Sequence, residues 1–273
     1  MWFVLYLLLR SATLFLSLGY MNWLSPLFLL LLSTSVTALK MKNMSPLYTP
    51  KTENQRLYAD SLDNTDKTMT VALGPAGCGK TLLACVHAIM ALKRGEIRKI
   101  VLTRPLVSVE EEEIGFLPGN LVTKMDPWTK PMFDIFQEFY SVSDLHNLVK
   151  QGVIEVAPLA FMRGRTFHRS FVLADEMQNA SPSQMMMLTT RIGMESKLVV
   201  TGDLNQSDRY ECNGLRHFLS RFDDYRFMYG DEKALKYIDV IEMDSGDICR
   251  SPFVSCVLEI LGSNPGSPSL PPI

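Results

Sequence analysis

No pair of cysteines in this 273-residue chain is spaced C-x-x-C. The five cysteines stand apart, at 78, 85, 212, 249 and 256. That spacing argues against a zinc site and a disulfide framework, and fits free, mostly buried thiols in a reducing compartment. A strong charge of one sign is also lacking. Lys and Arg total 27 against 29 Asp and Glu, for a net charge of −2. No global basic field points to nucleic acid, so any such binding must use a local patch. There is no internal repeat. Charge is also missing from a long stretch near the start: Arg10 is the only charged residue in 1–39. The run from Ser11 to Leu39 is long enough to cross a bilayer, with Pro26 dividing it. Three readings stand side by side. It is a membrane anchor, a signal-like segment with a small-residue site at Val36-Thr37-Ala38, or an upstream extension with the working protein starting near Met41 or Met44.

What is present centres on Gly74-Pro75-Ala76-Gly77-Cys78-Gly79-Lys80-Thr81, the pattern G-x-x-x-x-G-K-[ST]. A short apolar strand, Met69 to Leu73, precedes it, and a helix from Leu82 to Leu92 follows. The glycines let the backbone turn tightly and approach an anion. The amides then line a nest at a helix N-terminus, where the dipole favours phosphate. Lys80 reaches the β- and γ-phosphates, and the Thr81 hydroxyl ligates Mg²⁺.

The rest of the chain reads as further strands ending in polar groups. Lys99 to Thr103 runs into Arg104-Pro105. Phe171 to Ala174 ends in Asp175-Glu176, a Walker B arrangement in which Asp175 holds the Mg²⁺ shell and Glu176 polarises water. Gln178 points at the same pocket. Lys197 to Val200 ends in Thr201-Gly202-Asp203, with Gln206 beyond. In an open α/β sheet, ligands sit at the carboxyl edge of the strands, so these groups converge beside the P-loop.

Helices are expected from Thr52 as cap, over Phe133 to Tyr140, from Ser181 to Leu188 with a Met-rich body in the core, over Leu215 to Phe222, and over Phe253 to Leu261. Short strands are expected at Ile154 to Val156 and Tyr237 to Met243. Glu110 to Glu113 reads as a solvated loop. Gln55 reads either as part of a polar first turn or as a base contact. Met162 to Thr166 is a compact basic loop whose guanidinium forks suit phosphate. The domain organisation is a hydrophobic segment at 1–39, a linker at 40–50, an ATPase domain at 51–261 and a disordered Pro/Ser-rich tail at 262–273.

The motifs together resemble the PhoH-like ATPases. The stretches are GPAGCGKT (74–81), LTRP (102–105), IGFLPG (114–119), KMDPW (124–128), IEVAPLAFMRGRT (154–166), DEMQNA (175–180), TRIG (190–193), VVTGDLNQ (199–206) and DICRSP (247–252). The resemblance implies an α/β, RecA-like P-loop NTPase with a mostly parallel central sheet flanked by helices, related to superfamily I helicase cores. It implies ATP and Mg²⁺ as cofactors, ATP hydrolysis, single-stranded RNA as partner, and a homo-oligomer, with a ring as one form. It places the ATPase domain in the cytoplasm, with anchoring from the cytosolic side through residues 1–39 as the alternative. By motif, Lys80, Glu176, Gln206 and Arg250 carry catalysis, with Gln206 sensing the γ-phosphate. Gln55 reads adenine beside the loop Gly74, Pro75, Ala76, Gly77, Cys78, Gly79, Lys80 and Thr81, and Thr81 and Asp175 serve the metal. An arginine from a neighbouring copy, among Arg163, Arg165, Arg191 and Arg250, reaches the γ-phosphate.

There are departures from the family pattern. Cys78 replaces Thr at a position expected to point a small side chain outward, and Met177 replaces Ala. The acidic run replaces a Gly-containing stretch. Ser207-Asp208-Arg209 departs from Ile-Asp-Leu, and Ser251 stands where His is usual. The competing functions are a nucleotide switch without turnover and a small-molecule kinase. Glu176 argues against the switch, and the lack of a clear lid argues against the kinase.

Overall fold

Thr52 opens the first helix of the domain, α1 (Glu53–Asp63). Its hydroxyl accepts the Gln55 N–H, satisfying one of the donors that every helix start leaves over. A computed structural model of the chain describes residues 48–105, 126–206 and 213–249. The segment 1–39, most of the linker, the acidic run with IGFLPG, Ser207-Asp208-Arg209, Cys212, Arg250, Cys256, the helix expected at 253–261 and the tail lie outside the described residues. By internal contacts the chain divides into Met1–Thr49 and Pro50–Ile273, and the fold below is that of the second unit.

Among the described residues six strands form one sheet: β1 (Met69–Leu73), β2 (Lys99–Thr103), β3 (Ile154–Val156), β4 (Ser170–Ala174), β5 (Lys197–Gly202) and β6 (Ile238–Glu242), in the order β3-β2-β4-β5-β1-β6. Every pairing is parallel. The near-continuous apolar runs of β1, β2, β4 and β5 reflect burial on both faces, which parallel sheets require. Successive side chains alternate between two cores. Ala72, Ile100, Leu102, Leu173 and Val199 face one side. There they meet α1, α2 (Lys80–Lys93), α3 (Asp126–Gln137) and Leu145 of α4 (Val142–Lys150). Val71, Val101, Val172 and Val200 face the other, with Met185 and Leu188 of α5 (Pro182–Thr189) and Leu215 of α6 (Gly214–Tyr229). Each large apolar side chain so enclosed contributes roughly 1.5–3 kcal/mol.

The expected α/β, RecA-like arrangement is present. β5 lies between the P-loop strand β1 and the Walker B strand β4, so β2, β4, β5 and β1 deliver their carboxyl ends side by side along one edge. Among the described residues no helix is long and apolar enough to cross a membrane.

Two local expectations fail. The helix expected over Phe133 to Tyr140 starts at Asp126 and ends at Gln137, with Pro131 inside it. A proline removes one intrahelical bond, but Met132 and Phe136 are buried on the helix's inner face, and that packing carries the turn. The chain then restarts as α4, capped by Ser141, which accepts the Asp144 N–H. The Met-rich body of α5 is also divided. Met185 is buried, whereas Met186 is 71% exposed, because neighbours one residue apart face different ways on a helix. The capping of α5 is as expected: Ser181 and Gln184 form a reciprocal box, and Pro182 takes the first position.

Candidate functional site

The P-loop leaves β1 at Leu73 and is pinned at once from two sides. The Gly74 N–H donates to the Gly202 carbonyl of β5 at 3.2 Å, and the Met243 N–H, just after β6, donates to the Leu73 carbonyl at 2.8 Å. Gly74 has φ 144°, and a Cβ there would sit 2.5 Å from the Met243 carbonyl oxygen. Gly79, at φ 90°, precedes α2 without a side-chain cap. The first-turn amides of α2 are thus left to an anion. The Lys80 ammonium lies within the loop, donating to the Gly74 carbonyl at 2.6 Å and the Pro75 carbonyl at 2.8 Å. The crest, Ala76 and Gly77, is exposed.

Cys78 does not point outward. It is fully buried in the core shared with Tyr58 and Leu83. The left-handed turns at Gly77 and Gly79 on either side direct position 78 inward, where a small side chain fits. Burial pushes its thiol up, against the pull of the Lys80 ammonium. Cys85 is buried as well, as the free-thiol reading expects, whereas Cys249 is exposed.

Asp175 stands one residue past β4, with its N–H bound to the Thr103 carbonyl at 2.9 Å. Its Oδ1 accepts the Thr81 hydroxyl at 2.8 Å and the Thr201 hydroxyl at 2.5 Å. The P-loop and the Walker B strand therefore meet through one carboxylate. That carboxylate is only 6% exposed, and among the described residues no lysine or arginine pairs with it. A buried acid held by two neutral hydroxyls lacks a counter-charge, and its oxygen donors suit a hard cation such as Mg²⁺. Glu176 follows in the left-handed region, at φ 54° and ψ 40°. Non-glycine residues held there are strained, and such strain clusters at functional sites. Its carboxylate accepts the Gln178 amide at 2.5 Å, and the Gln178 carbonyl oxygen accepts the Asp203 N–H at 3.2 Å. Gln178 thus ties Glu176 to the end of β5. Gln206 is exposed in the turn after β5, its N–H bound to the Asp203 carbonyl at 3.2 Å.

Gln55 is buried against the P-loop. Its amide donates to the carbonyls of Cys78 and Asp247, both at 3.0 Å, and its Oε1 accepts the Lys51 N–H at 2.8 Å. Both amide hydrogens are thereby engaged as a brace. The Asp247 carboxylate also accepts from the Thr52 hydroxyl and, at 2.9 Å, from Asn54. An adenine would have to draw the Gln55 donors away from two carbonyls. The expected result for Gln55→Ala is a lowered Tm and an equal fractional loss of kcat/KM with ATP and GTP, measured side by side. A loss confined to ATP would mark base reading instead.

The basic loop is not a free guanidinium cluster. Arg165 grips Glu155 at the β3 edge with two bonds of 2.5 and 2.9 Å and lies over the Phe167 ring. Lys99 joins the same carboxylate at 2.9 Å. Arg163 is exposed, and Arg191 is half-buried after α5. The Arg165 bonds, with help from Lys99, hold the Glu155 carboxyl down at about 2, from an ordinary 4.5. A carboxyl depressed in the folded state stabilises it above the unfolded value, and that contribution disappears as pH falls through the folded one. Glu155→Gln is therefore expected to be slightly less stable than wild type at pH 7, the group being partly solvated. Urea unfolding should show this gap closing between about pH 4.5 and about 2, while a gap that persists at the acid end would contradict the assignment.

Three contacts here escaped sequence reasoning. Thr201 was visible as a hydroxyl ending an apolar strand, yet nothing in the sequence tied it to Asp175. Asp247 and the Met243 carbonyl carry no motif-independent signal for their contacts with Gln55 and Gly74.

Comparison with known proteins adds a family. A family model described as "PhoH-like protein" matches residues 48–262. The PhoH-like protein of Bacillus subtilis is 41% identical over 209 residues, covering 77% of this chain and 62% of that one. The PhoH-like protein of Synechocystis is 38% identical over 228 residues, covering 82% and 65%. Protein PhoH of Escherichia coli K12 is 35% identical over 187 residues, covering 67% and 52%. The chain thus spans less than two thirds of the length of these relatives. Among solved structures, the Pyrococcus furiosus Hef helicase domain is similar with a TM-score of 0.38 at 13% identity, covering 73% of this chain and 39% of that one.

Proposed function

The chain belongs to the PhoH-like family, and on that premise we propose that it is a Mg²⁺-dependent ATPase acting on single-stranded RNA as a homo-oligomer. The observation that carries the ATPase reading is the Thr81–Asp175 bond of 2.8 Å. It sets a phosphate-binding loop, a buried acid without a counter-charge and the carboxylate of Glu176 at one sheet edge. The P-loop amides and Lys80 bind the phosphates, and Thr81 with Asp175 holds the cation. Mg²⁺, when bound, withdraws charge from the β- and γ-phosphate oxygens. Glu176, oriented by Gln178, accepts hydrogen bonding from water and polarises it for in-line attack. Gln206, at the exposed end of β5, reports the γ-phosphate.

Single-stranded RNA as client is proposed from the resemblance to helicase cores, in which a run like Gly202-Asp203-Leu204-Asn205-Gln206 senses the nucleotide. In this reading an arginine from a neighbouring copy completes the site. Arg163, Arg191 and Arg250 stay candidates for that role, whereas the Arg165 guanidinium is held by Glu155. The test is ATP turnover by the full chain at several protein concentrations, with and without single-stranded RNA. Specific activity that rises with concentration and with RNA supports the reading. Turnover indifferent to RNA removes the RNA client, and full activity in a monomer removes the arginine in trans. Transfer of label from ATP to a small acceptor would favour a kinase.

A further inference from the structure

Thr201 has no part in the mechanism so far, and its position demands one. It is the penultimate residue of β5, 1% exposed, with Leu198, Val199 and Val200 before it. A hydroxyl buried there loses its hydration, and valine would fill the same space without that loss. Its hydroxyl bond is to Asp175 Oδ1 at 2.5 Å, the oxygen that also accepts Thr81.

We propose that Thr201 is a positioning residue for the divalent cation: it fixes the Asp175 carboxylate so that Oδ1 faces the two threonines and Oδ2 is left to the metal. This rests on the Mg²⁺-dependent reading above. Thr81 cannot do the positioning alone. It sits on the first turn of α2, and a single hydroxyl hydrogen bond leaves the carboxylate free to turn about it. Thr201 has firmer backing. Its strand is paired on both sides, with Thr201 opposite Ala72 of β1 and Val200 opposite Ala174 of β4. The next residue, Gly202, accepts the N–H of Gly74 at the start of the P-loop. The Thr201 hydroxyl therefore stands in fixed register with both the phosphate loop and the acid, and it ties the carboxylate's orientation to the loop's position.

The experiment compares wild type, Thr201→Val and Thr201→Ser as full chains. Mn²⁺ affinity in the presence of a non-hydrolysable ATP analogue is read by electron paramagnetic resonance. Analogue affinity in EDTA, the Mg²⁺ dependence of turnover and thermal unfolding are read alongside. For Thr201→Val, Mn²⁺ affinity should weaken about tenfold or more, the range seen when a group that orients a metal ligand is removed. The Mg²⁺ needed for half-maximal turnover should rise in step. Metal-free analogue affinity and Tm should stay near wild type, and Thr201→Ser should recover most of the loss. Unchanged Mn²⁺ affinity in Thr201→Val, an equal loss with and without metal, or no recovery in the serine variant would overturn the proposal. A wild type that binds Mn²⁺ and analogue but releases no phosphate would contradict the ATPase reading, and the Mn²⁺ comparison would still decide Thr201.

Discussion

Glu176→Gln is expected to lower ATP turnover by about two to four orders of magnitude while leaving nucleotide affinity within about threefold of wild type. The amide keeps the size of the carboxylate and a hydrogen bond to Gln178, but it cannot accept a proton from water. Glu176 is held in place from two sides. It occupies a left-handed backbone position that glycine would fill more easily, and Gln178 bonds its carboxylate at 2.5 Å. The P-loop, Thr81 and Asp175 are untouched by the substitution, so binding persists. Phosphate release and the affinity for a fluorescent ATP analogue, measured on the same preparation, check both halves. Turnover unchanged in Glu176→Gln would remove the residue from catalysis, and loss of binding would make it structural. Lys80→Ala is the companion, expected to lose both properties.

Gly74→Ala is expected to damage both the fold and the phosphate loop. The new Cβ would meet the Met243 carbonyl oxygen at 2.5 Å, and the residue would be held at φ 144°. The obstacle is backbone, so no rotamer relieves it. Either the P-loop or the chain after β6 must move, and the Met243 N–H is itself bound to Leu73. Strain of this kind, with the overpacking, is expected to destabilise the fold by about 2–4 kcal/mol and to weaken nucleotide binding more than tenfold. Urea unfolding and analogue titration measure the two effects. A variant with wild-type stability and affinity would show that the approach of β6 to the P-loop is not a constraint.

Much of this was readable from the residues. The glycine spacing with Lys80 and Thr81 declared a phosphate loop because few other uses suit that backbone. The apolar runs ending in Asp175-Glu176 and Thr201-Gly202-Asp203 declared strands buried on both faces with polar carboxyl ends. Register and side-chain direction were not readable. Cys78 turns inward because two left-handed glycines flank it, a consequence of three-dimensional loop geometry. Gln55 is engaged as a brace because Asp247, nearly two hundred residues later, comes back beside α1. Arg165 is held by Glu155 because β3 and the following turn place them together. For Gln55 the deciding partner is distant in sequence; for Cys78 and Arg165 it lies within ten residues, and what no local pattern encodes is the direction in which the side chain points.

The most direct measurement is release of inorganic phosphate from ATP by the purified full chain, in Mg²⁺ and in EDTA, with no added acceptor. The account predicts free phosphate formed over many turnovers in Mg²⁺ and none in EDTA. Tight nucleotide binding without phosphate release, or release that proceeds equally in EDTA, would contradict the claim that Thr81, Asp175 and Glu176 form one metal-dependent hydrolytic centre.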